Sequence, residues 1–261
     1  MDTSSKSYTV ITGASSGIGY EAAKAFASRG KNLILTARRG DRLKELKEEI
    51  LTSHPEADVI IRDTDLSVLE NVYRFYESLK GYPLETWINN AGIGCYGSVA
   101  EQNLKWAESL LALNVNALTI LSTLFIHDYK DVEGTQLINV SSCGGYTIVP
   151  SAVTYCASKF YVSAFTEGLA QELKAAHYKM KAKVLAPAAT ETEFGKTANH
   201  VSEYDYHKRF PIYHTAPQMA KFLLKLYDSD ETVGIVNRET FEFQLTEPIL
   251  PYAGNSAFNQ K

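Results

Sequence analysis

Residues 12–19 read Thr-Gly-Ala-Ser-Ser-Gly-Ile-Gly. They stand between an apolar run, Tyr8 to Thr12, and a stretch of helical periodicity, Ile18 to Arg29. That setting constrains the fold more than the glycines do. After a strand, one glycine takes the tight turn, a second lets backbone approach a phosphate, and a third lets the next helix pack near the sheet. Gly13, Gly17 and Gly19 fit those three places. Helix N-terminal amides then point at a pyrophosphate. A glycine-containing loop without a ligand is the alternative for an isolated match; strand before and helix after favour a dinucleotide.

The rest of the chain repeats the alternation. Apolar strands are predicted at Asn32–Ala37, Asp58–Arg62, Glu85–Asn89, Gln136–Val140 and Lys183–Ala186, with a short seventh at Val233–Val236. Helical periodicity fills Arg42–Thr52, Val68–Lys80, Leu104–Tyr129 and Thr154–His177. Thr215 to Gln218 has capping-box spacing before a helix through Tyr227. Strands apolar on both faces, alternating with helices, imply a parallel sheet covered on both sides. The expectation is α/β: one Rossmann-like, doubly wound domain of about seven strands over residues 1–261. The least periodic region, 188–214, is expected to be a substrate lid.

Composition narrows the function classes. Hydrophobic residues at 45% and charged residues at 21% allow an ordinary globular core. A net charge of −4 offers no basic field for nucleic acid or an anionic membrane. No apolar run is expected to reach the ~18 residues that span a bilayer. Cys95, Cys143 and Cys156 match no zinc pattern and read as free thiols, so no metal site is expected. The polar start, Met1 to Ser7, lacks a signal-peptide layout, and a cytosolic protein is expected.

Two arginines close the second strand, Thr36-Ala37-Arg38-Arg39, where NAD enzymes of this architecture place an acid for the ribose 2′-hydroxyl. Guanidinium suits a 2′-phosphate instead. The position favours NADP (NADPH) over two arginines that merely solvate a loop, with Ser15 as a further phosphate contact.

Tyr155 and Lys159 stand four apart at the start of a long helix, and so on one face. A cation beside a phenol favours the phenolate, and a tuned phenol can exchange a proton with a carbonyl or alcohol oxygen. Alone, such a pair is a commonplace surface contact. Ser142, however, closes the fifth strand 13 residues earlier, at the carboxyl edge where doubly wound sheets bind ligands.

With these residues together, the chain resembles the short-chain dehydrogenase/reductase family. Thr12 to Gly19 matches that family's T-G-x-x-x-G-x-G, Asn89 to Gly92 its N-N-A-G, and Tyr155 to Lys159 its Y-x-x-x-K. The resemblance runs from about Tyr8 to Thr192. It implies Tyr155 as acid/base, Lys159 lowering its pKa and bonding the nicotinamide ribose, Ser142 orienting the substrate oxygen, and Asn114 holding a water that links Lys159 to solvent. It implies a cofactor set of Gly13, Ser15, Ser16, Gly17, Ile18, Gly19, Arg38, Arg39, Asp65, Leu66, Asn90, Ala91, Gly92, Tyr155, Lys159, Pro187, Thr190 and Thr192. The implied activity is hydride transfer between NADP(H) and a carbonyl or secondary alcohol, with a small-molecule partner and a homodimer or homotetramer.

Two departures stand out. Ala188 replaces the glycine of the family's P-G-x-x-x-T, and the tail after Val236 lacks the glycine-rich strand of tetrameric relatives. Tyr96, Tyr146, Val149, Phe194 and Phe210 are candidate pocket aromatics and aliphatics, with packing as the plainer role. Cys143 and Cys156 flank the catalytic positions and read as small buried residues. A nicotinamide-binding sensor without turnover is the second reading. An epimerase or dehydratase is a third, for which the chain has no substrate domain.

Overall fold

The structure, a computed structural model, describes residues 6–254. The polar start read at residues 1–5 lies outside them.

The first half alternates as expected: β1 (Tyr8–Thr12), α1 (Gly17–Ala27), β2 (Asn32–Ala37), α2 (Gly40–Ser53), β3 (Val59–Asp63), α3 (Leu69–Glu77) and β4 (Leu84–Asn89). Then come α4 (Leu104–Leu111), α5 (Leu118–Tyr129), β5 (Gln136–Val140), α6 (Val153–Ala175) and β6 (Lys181–Ala186). The chain ends with β7 (Thr190–Glu191), α7 (Phe194–Asn199), α8 (Tyr206–Arg209), β8 (His214–Thr215), α9 (Ala216–Asp228), β9 (Val233–Val236) and β10 (Phe243–Thr246).

The main sheet has eight strands in the order β10-β9-β6-β5-β4-β1-β2-β3. All neighbours pair parallel except β10, which runs antiparallel to β9. The eighth strand comes from the atypical tail, which the sequence reading left without a strand.

Alternation across the pleat sorts strand residues between two cores. Ile11, Leu33, Leu35, Ile88 and Ile138 face α1, α2 and α9. Val10, Ile34, Trp87 and Leu137 face α3, α5 and α6. Both faces are therefore apolar, as a doubly covered parallel sheet requires. A buried lysine ties β6 to α9: Lys183 Nζ donates to the carbonyls of Leu226, Tyr227 and Ser229 at the helix C-terminus, where a cation is favoured.

Three expectations change. The helix predicted over Leu104–Tyr129 is broken by a π-helical turn, Ala112–Ala117, between α4 and α5. Such turns are single-turn insertions inside a helix, and helical apolar residues continue on both sides of this one, so the sequence reads as one helix. Within the 26 residues Leu104–Tyr129, an 18-residue window reaches mean hydropathy 1.8, so the stretch is also long and apolar enough by composition to cross a membrane. That corrects the expectation that no run approaches this length. In the fold its buried face covers β4 and carries Asn114 and Ser122 inward, both hydrogen-bonded. Finally, region 188–214 holds short regular pieces within its loops: β7 and β8 pair in parallel, with α7 and α8 between them.

The tail is anchored by one carboxylate. Glu167, buried on α6, accepts from the Ile249 and Leu250 amides at 2.6 and 2.8 Å and from the Tyr146 hydroxyl at 2.5 Å. Replacing Glu167 with alanine strands these donors, and each buried orphan costs roughly 1–3 kcal/mol. The expected result is a melting temperature lower by roughly 5–10 °C, with a smaller loss for Glu167→Gln. A thermal melt that does not move contradicts the anchoring role.

Candidate active site

Strand order reverses between β1 and β4, and the crevice there is the usual ligand site of a doubly wound sheet. Both strand ends are braced together. The Asn90 and Ala91 amides donate to Thr12 Oγ1, each at 3.0 Å, and Asn90 Nδ2 donates to the Thr12 and Gly13 carbonyls. The Asn90 side chain is thus spent on the turn itself. Asn89 sits deeper, with Nδ2 on Ser122 Oγ and Asn139 Oδ1.

The glycine turn leaves no room for side chains. Gly13 has φ +69°, and a Cβ there would lie 2.7 Å from Ala91 Cα. A Cβ on Gly19 would lie 2.4 Å from Asn90 Nδ2 and 2.5 Å from the Gly13 carbonyl oxygen. Gly17, at φ +57°, faces the Thr192 methyl. Along the crevice, Asp65 takes the Ser67 amide and hydroxyl, and Leu66 is buried beside it. Gly92 approaches Asn114 Oδ1 and Lys159 Nζ.

Past β6, the Pro187 carbonyl accepts from the Cys143 amide, which holds this loop against the Ser142 loop. Ala188 packs on the core facing α1 and α9, so its methyl group is accommodated. Thr190 Oγ1 bonds the Ala188 carbonyl, and Thr192 Oγ1 bonds the Thr190 carbonyl.

The two arginines separate. Arg39 donates from Nε and Nη2 to Ser15 Oγ and from Nη2 to Glu193, whereas Arg38 is exposed with no ion pair among the described residues.

Tyr155, Lys159, Ser142 and Asn114 converge. Tyr155 and Lys159 lie on the buried face of α6, with Lys159 Nζ 5.9 Å from the phenol ring centre and donating to the Val140 carbonyl at 2.9 Å. Ser142 stands two residues past β5, accepts from the Gly144 amide and faces the phenol. Asn114 sits in the π turn. Its Nδ2 donates to the Ile93 carbonyl and to Ser158 Oγ, and its Oδ1 accepts the Ile93 amide. With both amide hydrogens committed, the side chain pins the segment after β4, which leaves contact with a water to other atoms of the residue. Ser158, a partner the sequence reading missed, in turn bonds the Tyr155 carbonyl.

Burial pushes the Tyr155 phenol above its ordinary 10, and the Ser142 hydroxyl pulls against that. The expected net lowering by Lys159 is therefore not found in the protein alone. Burial also brings Lys159 itself down, to about 8. The phenol is held as an acid, the form that gives a proton to a carbonyl oxygen.

Apolar groups wall the phenol. The Phe194 and Tyr96 rings lie 5.4 and 6.4 Å from the Tyr155 ring, and Val149 packs with the same cluster. Tyr146 instead bonds Glu167, and Phe210 stacks on Tyr206. All three cysteines are buried free thiols, and burial raises that of Cys143 to about 11.

These features fit a nicotinamide dinucleotide: a turn that side chains would fill, helix amides behind it, and a buried phenol and ammonium at the far end. The profile of the short chain dehydrogenase family matches residues 7–203. The chain belongs to the short-chain dehydrogenase/reductase family. It is 30% identical over 191 residues to dehydrogenase/reductase SDR family member 11 of Homo sapiens, covering 71% of this chain and 74% of that one. Among solved structures it resembles a short-chain dehydrogenase from Sphingobium yanoikuyae in complex with NADPH, with TM-score 0.81 and 27% identity over 89% of both chains. It also resembles the bulky-bulky ketone specific alcohol dehydrogenase from Comamonas testosteroni, with TM-score 0.77 and 26% identity over 88% of this chain and 85% of that one. Membership supports an oxidoreductase acting on CH–OH or C=O groups.

Proposed function

We propose that the protein is an NADP(H)-dependent reductase of apolar ketones or aldehydes, running in reverse on secondary alcohols. The observation that carries this reading is the buried Tyr155 phenol, flanked by Ser142 and Lys159 and walled by Phe194 and Tyr96. When bound, the nicotinamide supplies or accepts the hydride. The protein's own residues place the substrate and move its proton. Ser142 donates to the substrate oxygen, and Tyr155 delivers the proton to the same oxygen. Below about pH 8, Lys159 is a cation beneath the phenol and steadies the charge left on it. The apolar rings beside the phenol favour neutral, apolar substrates.

The groups proposed for the cofactor are the Gly13–Gly19 turn with Ser15, Ser16 and Ile18 for the pyrophosphate, Asp65 and Leu66 for adenine, and Asn90 to Gly92 along the ribose. Lys159 would bond the nicotinamide ribose, and Pro187, Thr190 and Thr192 would meet the carboxamide end. NADP preference rests on the basic pair at the end of β2. Arg38, free of internal partners among the described residues, supports a 2′-phosphate contact. For Arg38→Asp, the expected result is a drop in NADPH affinity of about tenfold or more relative to NADH, since a charge-assisted phosphate contact becomes repulsive. Fluorescence titration of both cofactors checks it, and an unchanged ratio refutes the assignment of Arg38.

A further inference from the structure

Three consecutive residues of the lid touch both ends of the crevice. The Thr192 methyl lies against Gly17, Phe194 lies against Tyr155, and Glu193 between them reaches the arginines. Glu193 Oε2 is 2.8 Å from Arg39 Nη2, and Oε1 is 3.8 Å from Arg42 Nη2. Arg39 is held from its other side by Ser15 Oγ. The guanidinium hydrogen bond from Arg39 holds the Glu193 carboxyl below the usual carboxylate range, with Arg42 and a Ser16 contact adding to it. A protein carboxylate thus occupies part of a donor set that suits a phosphate.

We propose that Glu193 is a specificity-determining residue: its carboxylate competes with the cofactor's 2′-phosphate for Arg39 and Arg42 and so limits the preference for NADPH over NADH. This rests on the NADP reading above. Two anions cannot both be neutralised by one guanidinium fork, so an incoming 2′-phosphate must displace Glu193 or bind beside it against repulsion. A cofactor without that phosphate meets no such competition. The contact also joins the lid to the arginines: Glu193 precedes α7, and α7 carries Phe194 onto the phenol.

Glu193→Gln tests this, at a side chain nearly half exposed and so harmless to the fold. Calorimetric titrations with NADPH, NADH, 2′,5′-ADP and 5′-AMP separate the phosphate effect from a loosened lid. The expected result is about three- to tenfold tighter binding of NADPH and 2′,5′-ADP, with NADH and 5′-AMP within about twofold of wild type. The gain should shrink at high ionic strength. A parallel shift of all four ligands means that Glu193 only holds the lid, and it overturns the proposal. So does unchanged or weaker binding of the two phosphorylated ligands. If wild type prefers 2′,5′-ADP to 5′-AMP and the variant leaves that ratio unmoved, the competition fails while the NADP reading stands. If neither protein shows the preference, the NADP reading fails with it.

Discussion

Replacing Tyr155 with phenylalanine is expected to lower turnover by about 10²- to 10⁴-fold, the range that positioned acid–base groups contribute. Cofactor affinity should change little. The variant removes one hydroxyl and keeps the ring, so the packing on Phe194 and Tyr96 survives. Among the described residues the phenol oxygen holds no other hydrogen bond that the fold depends on, apart from its contact with Ser142. Steady-state carbonyl reduction and NADPH fluorescence titration check the two halves separately. Unchanged turnover would remove Tyr155 from the chemistry. Lost cofactor binding would make it a binding residue instead.

Gly13→Ala should act through the scaffold and damage both stability and binding. At φ +69° a side chain is strained, and here the new methyl group would lie 2.7 Å from a backbone carbon of Ala91. Nothing flexible can yield, because Ala91 is tied to Thr12 and so to the same turn. Overpacking of this kind costs roughly 1–3 kcal/mol, and the left-handed conformation adds of order 1 kcal/mol. The melting temperature should fall by roughly 5–10 °C, and NADPH affinity by about tenfold or more as the turn shifts from the pyrophosphate path. Alanine at Gly30, which also has positive φ but has nothing within 4 Å, serves as the control. It should lose some stability and no cofactor affinity. If Gly13→Ala binds NADPH like wild type, the turn is not the phosphate cradle.

Much of this was legible in the sequence, for identifiable reasons. Strands β1, β2 and β5 fall at the predicted residues because strands buried on both faces are unbroken apolar runs bounded by polar turns. Tyr155, Lys159 and Ser142 could be read because their chemistry depends on local spacing, i to i+4 along a helix and a fixed step from a strand end. Tyr96 and Phe194 were nominated as packing or pocket groups, and they meet at the phenol.

What escaped depends on distant partners. Glu193 looked like any loop acid, and it gains meaning only from Arg39, 154 positions away. Glu167 sits within an ordinary helical run, and its role is set by the tail 82 positions on. The π turn at Asn114 is one local insertion inside a helical, apolar stretch, too short for periodicity to mark. The Tyr155–Lys159 spacing shows that the two groups share a face, but not that both are buried, which raises the phenol and lowers the ammonium.

The central claim is that the buried Tyr155 centre reduces neutral, apolar carbonyls at the expense of NADPH. The most direct measurement is NADPH oxidation by the wild-type protein across a panel of aldehydes, aliphatic and aryl ketones, diketones and quinones, read at 340 nm with product identified. Turnover is expected with bulky apolar ketones or aldehydes, to be lost in Tyr155→Phe and to be poor with charged carbonyls such as keto acids. Tight NADPH binding with no oxidation by any member of the panel would contradict it and point to a protein that senses the cofactor rather than using it.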